Sequence, residues 1–185
     1  MEIERTNIDG LLIIDLDVFG DDRGYFFESF SKRKYEEHGI DVNFVQDNIS
    51  KSNRGTIRGL HYQAGDKAQG KLCQVITGKV LDVAVDIRFD SPTFGQYFAL
   101  ELSEDMKTQL WIPPGFAHGF SVLSDQAIFL YKCTEYYSKE NERVILYNDP
   151  DLNIDWKVEN PIISGKDRQA KLFKEIEKDF VYSSI

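Results

Sequence analysis

The sequence predicts an all-β protein, a sandwich or a closed barrel, and three observations carry that prediction. Short β-rich runs recur between turn signals, aromatics are frequent with 13 Phe, 9 Tyr and 2 Trp, and only two segments have helical character. Strands are expected at residues 11–18, 25–30, 44–50, 56–62, 72–77, 80–88, 97–102, 109–112, 119–123, 127–134 and 142–147. Gly78-Lys79 between two of these runs has the form of a hairpin turn, because glycine accepts positive φ at little cost. In the run 80–88, Leu81, Val83, Val85 and Ile87 fall on one face and Asp82, Ala84 and Asp86 on the other, the period of a strand with an apolar and a polar side. The first helix is expected over 31–38, capped by Ser31 and stopped by Gly39. The second is a longer amphipathic one over 166–178. Asn148-Asp149-Pro150 reads as the turn that leaves the last strand.

At 185 residues the chain has the size of one domain spanning 1–185, large enough to bury a core without disulfides. Its net charge of −9 opposes a general affinity for nucleic acid or acidic lipid, so any bound phosphate must be held by a local cluster of cations. The longest unbroken aliphatic stretch is Leu11 to Ile14, and the segment from Met1 to Gly10 is too charged for a signal peptide. A cytoplasmic protein with no membrane partner is the expectation. Cys73 and Cys133 lack metal-ligand spacing and are expected as reduced, half-buried strand residues.

Several strands carry polar residues where a plain barrel would place aliphatic filling. Gln46, Asn48 and Ser50 share a face, and Arg58, His61, Lys71, His118 and Tyr131 lie in or beside strands. For one strand, a face turned to water explains this; accumulated over many strands, it describes a barrel lined for a polar ligand. His61 is of the residue type suited to proton abstraction near neutral pH. It stands an odd number of residues from Arg58, so the two reach one pocket only if a bulge near Gly59 intervenes or if one lies past the strand end. Tyr131 is either an amphipathic core residue or a proton-donating phenol. Asp167 closes a helix start in Ser164-Gly165-Lys166-Asp167 or orients a histidine, and both readings stay open. Arg23, Arg58, Lys71 and Lys166 are the cations placed to be drawn inward, and paired arginines would fork onto a diphosphate.

Pro113-Pro114-Gly115-Phe116-Ala117-His118 resembles the second motif of cupins, double-stranded β-helix barrels that hold metal through clustered histidines. His61-Tyr62-Gln63 supplies no second histidine, and with only three histidines in the chain a His-rich metal site cannot be assembled. Neither a metal nor any other cofactor is therefore expected.

The ordered set Asp22-Arg23-Gly24-Tyr25-Phe26-Phe27-Glu28, Gln46-Asp47-Asn48, Arg58-Gly59-Leu60-His61-Tyr62-Gln63, Gln69-Gly70-Lys71, Gly115-Phe116-Ala117-His118-Gly119-Phe120, Tyr131-Lys132 and Ser164-Gly165-Lys166-Asp167 resembles the dTDP-4-dehydrorhamnose 3,5-epimerase family. The resemblance implies a cupin-type jelly roll, working without metal as a homodimer on the small molecule dTDP-4-dehydro-6-deoxy-D-glucose. It implies His61 as general base with Asp167 as its partner, Tyr131 as general acid, and Lys71 near the C4 carbonyl oxygen. Arg23, Phe26, Glu28, Gln46, Asp47, Asn48, Arg58, His118, Glu142 and Lys166 match substrate-binding positions, and Tyr137 matches the residue that stacks on thymine. A single-centre 3-epimerase, a ketoisomerase on the same nucleotide sugar and a non-catalytic cupin that binds it are the rival readings.

Overall fold

A computed structural model of the chain describes residues 1–183. Among the described residues are thirteen strands and two short α-helices: β1 (Glu2–Arg5), β2 (Leu12–Asp15), β3 (Val18–Asp21), β4 (Gly24–Phe27), α1 (Lys32–Glu37), β5 (Gln46–Asn53), β6 (Ile57–Gln63), β7 (Lys71–Thr77), β8 (Lys79–Asp86), β9 (Tyr97–Ser103), β10 (Thr108–Ile112), β11 (Phe116–Val122), β12 (Gln126–Cys133), β13 (Glu142–Val144) and α2 (Gly165–Arg168). They form a six-stranded sheet in the order β1-β2-β10-β7-β12-β5 and a five-stranded sheet in the order β13-β6-β11-β8-β9, with β3 and β4 as a separate ribbon. Two packed antiparallel sheets, most of whose neighbouring strands are far apart in sequence, make the fold a cupin-type jelly roll.

The inner faces of the two sheets meet in a core that includes Val75, Val80, Leu102, Leu110, Phe120 and Phe129. Phe129 is fully buried and stacks on Phe120 at 4.4 Å between ring centroids. Truncating it leaves a cavity that these stiff strands cannot fill by collapsing. Phe129→Ala is therefore expected to cost about 3–5 kcal/mol, read as a lower urea midpoint at unchanged m-value.

The turn at Gly78 joins strands of different sheets: β7 pairs with β10 and β12, whereas β8 pairs with β9 and β11. It is a barrel corner and not the expected hairpin. A Cβ on Gly78 would lie 2.1 Å from the Gln126 carbonyl oxygen at φ +81°, so only glycine fits there. The polar face expected of the 80–88 run is also buried. Leu81, Val83, Val85 and Ile87 lie beneath Leu152, Trp156 and Ile163, while Val80 and Ala84 face the barrel interior with Asp82. Asp86 is held by Arg88, Ser91 and Thr93.

The helix expected over 166–178 is reduced to the four residues of α2. Beyond it the chain is diverted by tertiary bonds: Leu146 donates its N–H to the Lys171 carbonyl at 2.8 Å, and Asp149 Oδ2 accepts the Phe173 N–H at 2.7 Å. A short 3-10 turn over Phe173–Glu175 follows, and Phe173, Ile176 and Phe180 pack on the back of the five-stranded sheet. Both cysteines are fully buried rather than half-buried, and their thiols are free. Among the described residues, no helix is long and apolar enough to cross a membrane.

Candidate active site

Between the two sheets lies a cavity of about 290 Å³, and side chains from both sheets line it. Its most consequential feature is an irregularity in β6. The ladder to β11 pairs His61 with His118 and Arg58 with Phe120, so two residues of β6, Gly59 and Leu60, oppose the single Gly119. This bulge cancels the parity conflict and turns Arg58 and His61 to the same cavity. Glycine is required at the bulge: a Cβ on Gly59 would sit 2.5 Å from Gly119 Cα, at φ +135°.

His61 Nε2 lies 2.7 Å from Asp167 Oδ1, with Asp167 3% exposed. Both sequence readings of Asp167 hold, on different atoms. Its backbone N–H donates to Ser164 Oγ at 3.1 Å and closes the start of α2, while its carboxylate faces the imidazole. Burial pushes the Asp167 pKa up, but hydrogen bonds from His61, Ser164 and the Gly59 backbone outweigh it and hold the carboxyl below the usual range. The dyad partner is thus a carboxylate at neutral pH, as an orienting group for imidazole must be.

Tyr131 enters from β12 in the opposite sheet. Burial pushes its phenol up to about 12, and its hydroxyl has no hydrogen-bond partner among the described residues, so it is a neutral donor aimed into open space. Lys71, on the adjacent β7, is 7% exposed and donates to the His61 carbonyl oxygen at 3.4 Å. Burial pulls its pKa down against the influence of Cys133, Cys73 and Asp82. His118 forms a second imidazole–carboxylate pair, with Nε2 2.6 Å from Asp82 Oδ1.

One end of the cavity is polar and jointed. Gln46 donates to Asn48 Oδ1 at 3.0 Å and accepts the Tyr137 N–H at 3.0 Å, and the Tyr137 hydroxyl donates to Glu142 at 3.4 Å. Glu142 also binds Lys166 at 2.7 Å. Arg58 donates to Ser52 at 3.0 Å and, with His61 and Lys166, borders a further groove of about 560 Å³ past Thr56 and Ile162.

Asp167 reaches the cavity only through His61, and four other expected site residues stay outside it. Asp47 points to the other side of β5 and pairs with Lys132 at 2.9 Å, since alternation sends its neighbours Gln46 and Asn48 inward. Arg23 has its side chain 90% exposed and paired with Asp21, Phe26 is 68% exposed, and Glu28 pairs with Lys34 at 3.0 Å. Arg23 and Phe26 ride on the β3–β4 ribbon and Glu28 follows it, away from the barrel mouth. Conversely, Gln63, Gln69 and Phe120 line the cavity without having been singled out. Gln63 was within reach of the sequence, because it stands two residues from His61 and shares its face. Gln69 lies between strands and has no such signal.

A jelly roll with a polar interior, a carboxylate-bound imidazole on one sheet and a neutral phenol on the other carries the groups of an acid–base enzyme. Comparison with known proteins makes that class specific. The family model described as dTDP-4-dehydrorhamnose 3,5-epimerase matches residues 5–175. The Shigella flexneri dTDP-4-dehydrorhamnose 3,5-epimerase is 52% identical over 178 residues, covering 96% of this chain and 98% of its own length. Among solved structures, a dTDP-6-deoxy-D-glucose-3,5-epimerase from Legionella pneumophila in complex with dTDP-4-keto-L-rhamnose superposes with a TM-score of 0.95 at 52% identity, covering 99% of each chain. The Bacillus anthracis dTDP-4-dehydrorhamnose 3,5-epimerase with TDP and PPi bound gives 0.90 at 48% identity, covering 92% of this chain and 98% of its own. The chain belongs to the dTDP-4-dehydrorhamnose 3,5-epimerase family.

Proposed function

We propose that residues 1–185 act as one domain that inverts C3 and C5 of dTDP-4-dehydro-6-deoxy-D-glucose, giving dTDP-4-dehydro-L-rhamnose, by acid–base catalysis. The observation that carries this is the placement of His61 and Tyr131 on facing sheets of one cavity that also holds Lys71. A hydrogen at C3 or C5 is α to the C4 ketone, so its removal by His61 leaves an enolate. Lys71 stabilises the enolate oxygen by donating to it in a site shielded from water. Inversion needs the new proton on the opposite face, which Tyr131 delivers. Each inversion leaves His61 protonated and Tyr131 ionised, and exchange with water resets the pair. Asp167 orients His61 and balances the charge of its protonated form.

Arg58 and Lys166 supply positive charge for the diphosphate at the mouth, with Gln46, Asn48, His118, Glu142 and Tyr137 holding the rest of the nucleotide sugar. The working unit is a homodimer in the cytoplasm. The ribbon that carries Arg23 and Phe26 exposes Phe19 at 65%, Tyr25 at 62% and Phe26 at 68%, an apolar surface that a second copy would cover. In that arrangement Arg23, Phe26 and Glu28 serve the partner's cavity, which accounts for their distance from their own.

Turnover of the dTDP-keto sugar in D2O, followed by NMR, tests the reading. Deuterium is expected at both C3 and C5. Label at one carbon only makes the protein a single-centre enzyme, and label at neither makes it a binding protein.

A further inference from the structure

Beneath His118, on the floor of the cavity, three donors of three kinds converge. Cys73 Sγ lies 3.7 Å from His118 Nε2, Asp82 Oδ1 lies 2.6 Å from the same nitrogen, and all three ligand atoms are within 4.8 Å of one another. Cys73 and Asp82 are fully buried and His118 is 6% exposed. Asp82 Oδ2 has no hydrogen-bond partner among the described residues. That unpaired oxygen marks the cluster off from a satisfied core network, where a buried carboxylate would have both oxygens engaged. The cluster bridges the barrel, since Cys73 comes from β7 of the six-stranded sheet and Asp82 and His118 from β8 and β11 of the other. Donors spread over three strands produce no spacing motif, which is why the sequence does not announce them.

We propose that Cys73, Asp82 and His118 form an inhibitory binding site for a thiophilic divalent cation of the zinc class. Bonds of about 2.3 Å to sulfur and 2.0–2.1 Å to nitrogen, at a tetrahedral angle, place those two atoms roughly 3.6 Å apart, close to the spacing observed. The carboxylate, held only through Oδ1, shifts by under about 1 Å to become the third ligand. His118 itself lines the cavity, so the cluster borders the space the substrate would fill. Binding takes the proton from the Cys73 thiol into solvent, and the imidazole keeps its one proton on Nδ1 so that Nε2 can ligate. Lys71 is the cation nearest the cluster, and its charge opposes a second one. The site therefore favours ions that gain strongly from a thiolate and rejects Mg²⁺ and Ca²⁺. Occupancy takes His118 from the substrate and sets a positive ion beside Lys71, and either effect stops turnover.

The test uses Zn²⁺ and Co²⁺ on the intact protein, with Cys73→Ser and Cys73→Val as variants. One Zn²⁺ per chain is expected, with deuterium wash-in falling about tenfold or more and returning on addition of EDTA. Both variants keep uninhibited turnover and lose the inhibition. Co²⁺ is expected to give a thiolate-to-metal absorption band in the wild type that both variants lack. The band is read without turnover, so failure of the catalytic reading leaves it intact. Absence of the band from the wild type, its persistence in both variants, or Zn²⁺ inhibition that is equal in all three proteins overturns the proposal.

Discussion

His61→Ala is expected to lower deuterium wash-in at both C3 and C5 by about 10²–10⁴-fold, the contribution typical of a positioned general base, while dTDP still binds. The imidazole is one-third exposed and among the described residues its side chain bonds only to Asp167, so its removal opens no cavity in the core. Thermal unfolding should come at a somewhat lower temperature, because the buried Asp167 carboxylate loses one of its hydrogen bonds, and retained dTDP binding separates lost chemistry from lost structure. Wash-in that persists at one carbon would assign that carbon to a different base, with His118 the nearest alternative. Persistence at both would remove His61 from the mechanism altogether.

Lys71→Met is expected to separate activity from stability in the opposite sense. Losing one preorganised donor to a developing oxyanion costs about 10²–10³ in kcat. The native ammonium, however, is held at 7% exposure, bonded to a carbonyl at 3.4 Å, with two cysteines close by and the Asp82 carboxylate beyond salt-bridge distance. Burying a charge without a close counter-ion costs stability, and an apolar side chain of similar length removes that cost. The variant should therefore melt at or above the wild-type temperature while turning over far more slowly. A variant that melts well below wild type would show that Lys71 holds the fold together and does not merely serve the reaction.

Much of the barrel could be read from alternation alone, because a strand with one face inward repeats its character every second residue. Gln46, Asn48 and Ser50 line the cavity as their shared face foretold. Alternation also exposed its own limit at Arg58 and His61, where the odd spacing demanded a bulge and the ladder supplies one at Gly59 and Leu60. It failed where long-range partners decide the outcome. Gly78 looks like a hairpin turn because a corner between sheets needs the same positive φ, and only the pairing tells the two apart. Residues 166–178 have helical periodicity, yet hydrogen bonds from Leu146 and to Asp149 draw the chain out of a helix after α2. Arg23, Phe26 and Glu28 expose a different limit: a family motif names residues without placing them, and in this chain the three lie outside the cavity.

The two halves of the proposed catalytic dyad, His61 and Asp167, are separated by 106 positions. The strand that carries the imidazole lies in the first third of the chain, whereas the carboxylate is carried by α2, beyond the last strand. Under the proposed mechanism, a chain cut between β13 and α2 keeps every strand of the barrel and loses the group that orients its base.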